Sequence, residues 1–382
     1  MTGRPVEPPE PAGDPGPAPY GDLPLERFME AVFGDHRPRG FRLDATQRDG
    51  RAAAVEEVDL LAKPFCRLRH FRCAGDAERE KLLLVAPLAG QYPELLRDTV
   101  RGLLPHFAVH VTEWIDARQV PPEAGPFDLD ANIAYLMDFL GALGSGVHVL
   151  AVCQSAVPAL AAVALMAAAG APHQPHSLVL MGGLIDTRIS PTRMDLIARS
   201  LSLAWLETSF VSPVPGGFAG AGRSVYSARA QRAALLLYLA RHVATFAGPA
   251  PHVRIHGDPA FADPDLLRDL LTLMDVPAEL FFQNIRSVLQ EHSLPRGRMT
   301  WRGQRVEPAA IAQTALMTVE GAFDDISGRG QTRAAHELCT GIPVDKRIHY
   351  EQPGVGHFGM YVGRYWFDQV LPRVLDFMRA RR

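Results

Sequence analysis

Cysteine is scarce in this chain, which has 382 residues and four cysteines, namely Cys66, Cys73, Cys153 and Cys339. No two of them form a C-x-x-C pair, and a chain of this length buries a core large enough to fold without disulfide cross-links. We therefore expect free thiols and a reducing compartment. Cys66 and Cys73 fall in a predicted strand, where we expect buried apolar side chains and neither a disulfide nor a metal pair.

The chain also lacks a long apolar segment and a marked excess of charge. No window is long and apolar enough to cross a bilayer, and the amino terminus has no apolar stretch of the kind found in secretory signals. The formal net charge is −3, so no strong positive field would attract nucleic acid or an anionic membrane. We expect a cytoplasmic protein with no membrane span and no nucleic-acid partner; the oligomeric state is left open.

Proline dominates the beginning of the chain, where it occupies eight of the first 24 positions. This density disfavours both helix and strand, so residues 1–25 are predicted to form a disordered or polyproline-like tail. From Phe41 the pattern changes to two strands joined by a turn at Asp49-Gly50, followed by a further strand around PFCRLRHF.

Short apolar runs then alternate with helical patterns as far as the run SLVLMGG. This alternation predicts an α/β fold with a mostly parallel, doubly wound sheet. It stops near Leu184 and resumes at Ala315 with the buried strand ALMTVEG. We therefore predict a core formed by residues 26–184 and 313–382, and a large, mainly helical cap or lid insertion formed by residues 185–312.

Cys153 lies between the buried strand VHVLAV and an alanine-rich helix. A nucleophile at such a sharp strand-to-helix turn needs small residues two positions before and after it, and Ala151 and Ser155 meet this need. The usual pattern has glycine at both positions, so the match by itself is weak. The alternative is a buried cysteine with no chemical role.

An acid and a histidine follow in the order expected for a catalytic triad. Asp324 comes three residues after the glycine that ends ALMTVEG, and His357 lies in the glycine-flanked loop GVGHFG after the last predicted strand. Spacing favours Asp324 over its neighbour Asp325 as the acid. His357 could also be an ordinary loop histidine, since the chain has 14 histidines. The order nucleophile, acid, histidine on strand-end loops is nevertheless that of the α/β-hydrolase fold.

These residues predict covalent catalysis on an ester. His357 would accept the thiol proton of Cys153, and Asp324 would orient the imidazole. An oxyanion needs N–H donors, for which we predict the backbone amides of Gln154 and Leu88. The loop Pro87-Leu88-Ala89-Gly90 could instead be only a strand-to-helix turn. This chemistry requires no metal and no cofactor, and we predict neither.

Five segments are similar to intracellular polyhydroxyalkanoate (polyhydroxybutyrate) depolymerases, with the resemblance running from about Phe28 to the end. They are VAPLAGQYPELLRDTV, HVLAVCQSAVPALAAVALMAA, LVLMGGLIDTRISPT, TVEGAFDDISGRGQTRAAHELC and VGHFGMYVGRYW. The resemblance implies a cytoplasmic enzyme that hydrolyses amorphous storage polyester and contacts the polymer and the granule surface. It also implies that the family's nucleophile, acid and histidine fall on Cys153, Asp324 and His357. Ser155 departs from the family, which commonly has proline there.

Two other functions remain open at the level of sequence. A polyester synthase uses the same order of cysteine, aspartate and histidine to transfer acyl groups from coenzyme A. A granule-surface protein with a decayed hydrolase fold would have no activity. Around the site, we expect Asp186 and Arg188 to form a structural ion pair. We expect most aromatic residues of the insertion to be core, namely Trp205, Phe210, Phe261, Phe281, Phe282 and Trp301.

Overall fold

The computed structural model describes residues 20–246 and 251–381, and the elements below are those of this part of the chain. The strands are β1 (Tyr20–Pro24), β2 (Ala45–Arg48), β3 (Arg51–Lys63), β4 (Cys66–Cys73), β5 (Lys81–Val85), β6 (Ala108–Trp114), β7 (Val147–Val152), β8 (Ser177–Met181), β9 (Val211–Pro213), β10 (Ser224–Tyr226), β11 (Val243–Phe246), β12 (His252–His256), β13 (Val276–Pro277), β14 (Thr300–Trp301), β15 (Gln304–Arg305), β16 (Ala315–Gly321) and β17 (Arg347–Gln352).

Helices connect most of these strands. The α-helices are α1 (Leu25–Phe33), α2 (Arg97–Leu103), α3 (Leu129–Leu143), α4 (Ala156–Ala168), α5 (Arg193–Ser200), α6 (Leu203–Phe210), α7 (Ala228–Ala240), α8 (Pro264–Leu271), α9 (Ala278–Asn284), α10 (Ala335–Leu338), α11 (Gly363–Tyr365) and α12 (Leu371–Arg379). No helix among the described residues is long and apolar enough to span a bilayer.

A sheet of nine strands forms the centre of the described structure, in the order β17-β16-β8-β7-β5-β6-β4-β3-β2. Neighbours from β17 to β6 pair in parallel, whereas β4, β3 and β2 extend the sheet by antiparallel pairing. The parallel strands β7 and β8 are buried at every position, as expected for strands covered by helices on both faces. The predicted α/β fold with a mostly parallel sheet is confirmed.

Helix α4 follows β7 and packs behind the sheet. Cys153 lies in the turn between β7 and α4. Eleven residues of α4 are buried, five of them alanine, so the helix is apolar on every side. Short side chains allow its backbone to approach the sheet closely, which keeps the turn between β7 and α4 tight.

The segment between β8 and β16 holds α5–α9 and several short strands. Strand β10 pairs with β9 and β13, β14 pairs with β15, and β12 pairs with β11 and β1. The sequence predicts a mainly helical insertion here and misses these strands, because two to five residues are too few to show an alternating pattern. The assignment of residues 185–312 to a separate cap stays a prediction.

The proline-rich start differs in part from its prediction. Residues 1–19 of the predicted tail lie outside the described residues. The prediction is wrong for Tyr20–Pro24, which form β1 and pair antiparallel with β12. Leu23 pairs with Val253 and is buried, which stabilises the strand. Pro24 is tolerated because it is the last residue of an edge strand, where its missing N–H costs little.

All four cysteines are free thiols. Cys66 and Cys73 are the first and last residues of β4 and are buried, as predicted from the sequence. Burial raises the pKa of both thiols above the usual value of a cysteine.

Replacing Leu83 in the centre of the sheet is expected to destabilise the protein strongly. Leu83 is fully buried in β5, so Leu83→Ala should lower the free energy of unfolding by about 2–5 kcal/mol through lost burial and a residual cavity. Leu60→Ala in β3 is the control, because Leu60 is 49% exposed. Chemical denaturation measures both; equal losses for the two variants would contradict this assignment of the core.

Candidate active site

Cys153 follows the last residue of β7 and adopts a left-handed backbone conformation, with a φ of 57°. Residues Cys153–Ser155 form a single 3-10 turn that leads into α4. A left-handed conformation is rare for residues other than glycine, asparagine and aspartate, and costs of order 1–3 kcal/mol. Such strain is characteristic of a nucleophile elbow, where the turn presents one side chain at the carboxyl end of the sheet.

Ser155 stabilises this turn. Its hydroxyl lies 2.8 Å from the carbonyl oxygens of both Val85 and Val152 and so joins the ends of β5 and β7. The residue is buried, and its hydroxyl is occupied by these contacts. Ser155 therefore has a structural role, because its hydroxyl binds two carbonyl oxygens of the protein and is not presented to a substrate.

Asp324 and His357 meet in the core of the site. Nδ1 of His357 donates to Oδ2 of Asp324 at 2.7 Å, and the two side chains are 2% and 1% exposed. The other carboxylate oxygen of Asp324 accepts the backbone N–H groups of Ile326 and Ser327, each at 2.8 Å. One oxygen is thus held by the loop, while the second is directed at the imidazole.

Asp325 points elsewhere. Its carboxylate accepts a hydrogen bond from the hydroxyl of Tyr238 at 2.7 Å and lies 3.0 Å from Nε2 of His242. Both partners belong to α7 and the turn that follows it. The two neighbouring aspartates, which spacing alone separates only weakly, therefore occupy different environments, and Asp324 is the one in contact with His357.

The ring of His357 lies against Gly182 at the end of β8. A Cβ atom at Gly182 would lie 2.9 Å from Cε1 of His357, and the glycine has a φ of 59° that disfavours other residues. Nε2 of His357 is buried and makes no hydrogen bond within residues 20–246 and 251–381. The ring therefore has Nδ1 engaged by Asp324, and Nε2 is the nitrogen left for a reacting group.

The charge of Cys153 acts on the imidazole of His357. Burial lowers the pKa of His357, but the charges of Asp324 and Cys153 outweigh it and hold the pKa well above its usual value. Tyr361 packs edge-on against His357, with 5.8 Å between the ring centroids, and its pKa is raised first by burial and then by the charge of Cys153. Cys153, Asp324 and His357 thus form one interacting group at the carboxyl ends of β7, β16 and β17.

The two residues predicted to bind an oxyanion, Gln154 and Leu88, line the same small cavity at the ends of β7 and β5. The loop that carries Leu88 is held by the segment between β8 and β16. The carbonyl oxygen of Gly90 accepts the N–H of Met274 at 2.7 Å, and a Cβ atom at Gly90 would overlap the amide of Gln231. This arrangement is compatible with oxyanion binding, which stays a prediction.

Other residues near the site have structural contacts. Arg188 binds Asp186 through two hydrogen bonds of 2.8 and 2.7 Å, which confirms the predicted ion pair. Phe261 is buried, whereas Trp205 is 47% exposed.

A cavity of about 320 Å³ opens beside Asp324 and Asp325 and is lined further by Ser190, Thr192, Arg193, Arg241, Ala322, Gly328 and Arg329.

Sequence reasoning missed the residues that the segment between β8 and β16 contributes to the site. Tyr238 and His242 bind Asp325, and Asp258 binds the loop that carries His357. None of them stands in a recognisable motif, because each acts through contacts that are remote in sequence. The only available signal would have been polar residues within a mainly apolar segment.

Comparison with known proteins identifies the family. The family model described as PHB de-polymerase C-terminus matches residues 182–382, which include Asp324 and His357 but not Cys153. No curated protein sequence matches the chain significantly.

Solved structures share the fold at low sequence identity. A bromoperoxidase from Bacillus anthracis is 11% identical, with a TM-score of 0.52 over 85% of this chain and 100% of the other. A carboxylesterase from Bacillus subtilis is 14% identical, with a TM-score of 0.48 over 86% of this chain and 92% of the other. The fold, the strand-end loops and the matched family agree: this chain belongs to the PHB de-polymerase C-terminus family and is an ester hydrolase of the α/β-hydrolase fold.

Proposed function

We propose that this enzyme hydrolyses poly(3-hydroxybutyrate) and related polyhydroxyalkanoates through a covalent acyl intermediate on Cys153. The observation that carries the proposal is the group formed by Cys153, His357 and Asp324. The cysteine stands on a strained turn, and the imidazole beside it is oriented by a buried carboxylate.

In the proposed reaction, Nε2 of His357 takes the thiol proton while Asp324 stabilises the resulting imidazolium. The thiolate attacks the ester carbonyl, and the backbone amides of Gln154 and Leu88 stabilise the oxyanion. Collapse of this intermediate transfers the proton from His357 to the departing alkoxide and leaves a thioester on Cys153. Water, deprotonated by His357, then hydrolyses the thioester and restores the thiol.

The proposed substrate is a long, uncharged and apolar polyester, which the family description supports. Helices α5 and α6 expose several large apolar side chains, namely Met194, Leu196, Ile197 and Trp205. Exposed apolar residues grouped on adjacent helices are suited to contact with such a polymer. A cytoplasmic location at the granule surface is part of this proposal.

Removing the sulfur should abolish hydrolysis. Cys153→Ala is expected to release no 3-hydroxybutyrate from amorphous granules, because no other side chain can form the acyl intermediate. Cys73→Ala is the matched control and should retain hydrolysis, since Cys73 is the last residue of β4, which β5 and β6 separate from β7. Product release is measured by chromatography. Undiminished release by Cys153→Ala would end the nucleophile assignment, and coenzyme A release with polymer growth would indicate a synthase.

The two neighbouring aspartates should differ sharply in their contribution to kcat. Asp324→Asn is expected to lower kcat by about 10³–10⁴-fold, because the amide cannot stabilise the imidazolium and favours the wrong tautomer. Asp325→Asn should keep most of the activity, since Asp325 contacts Tyr238 and His242. Kinetics on a soluble ester measure both variants. A larger loss in Asp325→Asn than in Asp324→Asn would reverse the assignment of the acid.

The raised pKa of His357 predicts how the reactivity of Cys153 varies with pH. His357 loses its proton only as the pH rises through its raised pKa. In the proposed mechanism the imidazole accepts the thiol proton, so iodoacetamide should alkylate Cys153 faster in the native enzyme than in His357→Ala at neutral pH. The difference should shrink in alkali, where a thiol ionises without assistance.

Peptide mass spectrometry measures the alkylation of each cysteine. Cys66, Cys73 and Cys339 are buried, their thiol pKa values are raised by burial, and they serve as internal controls. Equal rates for Cys153 in the native enzyme and in His357→Ala at neutral pH would contradict a functional pair.

A further inference from the structure

A buried carboxylate from the segment between β8 and β16 holds the loop that carries His357. Asp258 stands two residues after β12 and is 3% exposed. Its Oδ2 accepts the backbone N–H groups of Phe358 at 2.7 Å and Gly359 at 3.0 Å. Its Oδ1 accepts the N–H of Ala260 at 3.0 Å, so both oxygens have partners. The first two donors belong to the residues that directly follow His357.

Asp258 also packs closely against the glycines of the loop that carries His357. A Cβ atom at Gly356 would lie 2.8 Å from the Cβ of Asp258, and one at Gly359 would lie 2.9 Å from its Oδ1. The glycines on both sides of His357 therefore leave room for this carboxylate. Phe261, three residues after Asp258, packs on Phe358 with 5.2 Å between ring centroids, which adds an apolar contact to the same junction.

We propose that Asp258 is a positioning residue for His357, which fixes the loop so that the imidazole keeps its place between Asp324 and Cys153. The inference rests on the proposed function, because it assigns a role within the same triad. Asp258 itself touches none of the three reacting side chains through a hydrogen bond; it acts through the backbone of residues 358 and 359. Loss of the carboxylate would release two N–H groups and let the ring shift.

The reacting geometry is sensitive to such a shift. A displacement of about 1 Å in a catalytic group can lower a rate by about 10²-fold without affecting substrate binding. The ionisable side chains whose charges act on Asp258 or on which it acts are Asp324, Tyr238 and Tyr361. Because these ionisable groups interact with Asp258, the rates of the native enzyme and of the Asp258 variants should be compared over a range of pH.

The test compares Asp258→Ala, Asp258→Asn and a matched control, Asp263→Ala. Asp263 lies in the same segment and caps α8 through the N–H of Asp265, but it does not contact the His357 loop. Two readouts are needed: kcat and KM on a soluble ester, and the rate at which iodoacetamide alkylates Cys153 from neutral to alkaline pH. The second readout does not depend on any substrate.

Asp258→Ala should lower kcat by about 10–100-fold with little change in KM, and should slow alkylation of Cys153 at neutral pH but not in alkali. Asp258→Asn should recover part of both rates, because its amide oxygen can accept the two N–H groups of the His357 loop, whereas its NH2 group cannot accept the N–H of Ala260. Asp263→Ala should match the native enzyme. If Asp258→Ala does not fold, Gly356→Ala takes its place, since its Cβ would meet Asp258 and the carbonyl oxygen of Gly257 and push the loop away from the carboxylate.

The outcomes separate the two proposals. A folded Asp258→Ala or Gly356→Ala variant with native kcat and native alkylation overturns the role of Asp258 while leaving the triad intact. If alkylation of Cys153 in the native enzyme does not depend on His357, the proposed function itself fails, and the positioning role fails with it. A rise in KM with an unchanged kcat would also overturn the inference, because it would indicate a role in substrate binding.

Discussion

The left-handed backbone at Cys153 is the constraint on which the site depends. A side chain can be presented beyond the end of a buried strand only if the chain turns sharply into the following helix, and at Cys153 that turn requires a positive φ. The strain is offset locally by the contacts of the Ser155 hydroxyl with the ends of β5 and β7. The same sharp turn brings the start of α4 close to Gly183. A Cβ atom at Gly183 would lie 2.3 Å from the Cβ of Ala156, so only glycine fits there.

The segment between β8 and β16 lies against all four loops on which the proposed mechanism relies. The positions of these loops therefore depend on this segment as well as on the sheet. Asp325, beside the proposed triad acid, binds Tyr238. Gly90, at the end of the predicted oxyanion loop, binds Met274. The backbone after His357 binds Asp258, and the turn after Cys153 shares a cavity with α9 through Leu280 and Asn284. This segment is therefore part of the framework that sets the geometry of the site.

Much of this arrangement could be predicted from the sequence, because its signals are local. Buried apolar runs such as VHVLAV predict parallel strands, and the loops after them hold Cys153, Asp324 and His357. Spacing could only favour Asp324 over Asp325, since adjacent residues on a loop point in different directions that depend on remote partners. The strand Tyr20–Pro24 was missed because its pairing with β12 is remote in sequence and outweighs its proline content. Asp258 had no local signature at all, because its partners are backbone N–H groups 100 and 101 residues away.

The central claim is that Cys153 becomes acylated during turnover, and rapid chemical quenching followed by peptide mapping tests it most directly. The enzyme is mixed with a short 3-hydroxybutyrate oligomer, quenched in acid within the first turnover and digested, and the peptides are analysed by mass spectrometry. We expect a 3-hydroxybutyryl thioester on the peptide that contains Cys153, removable by hydroxylamine. An acyl group on any other side chain during productive turnover would contradict it.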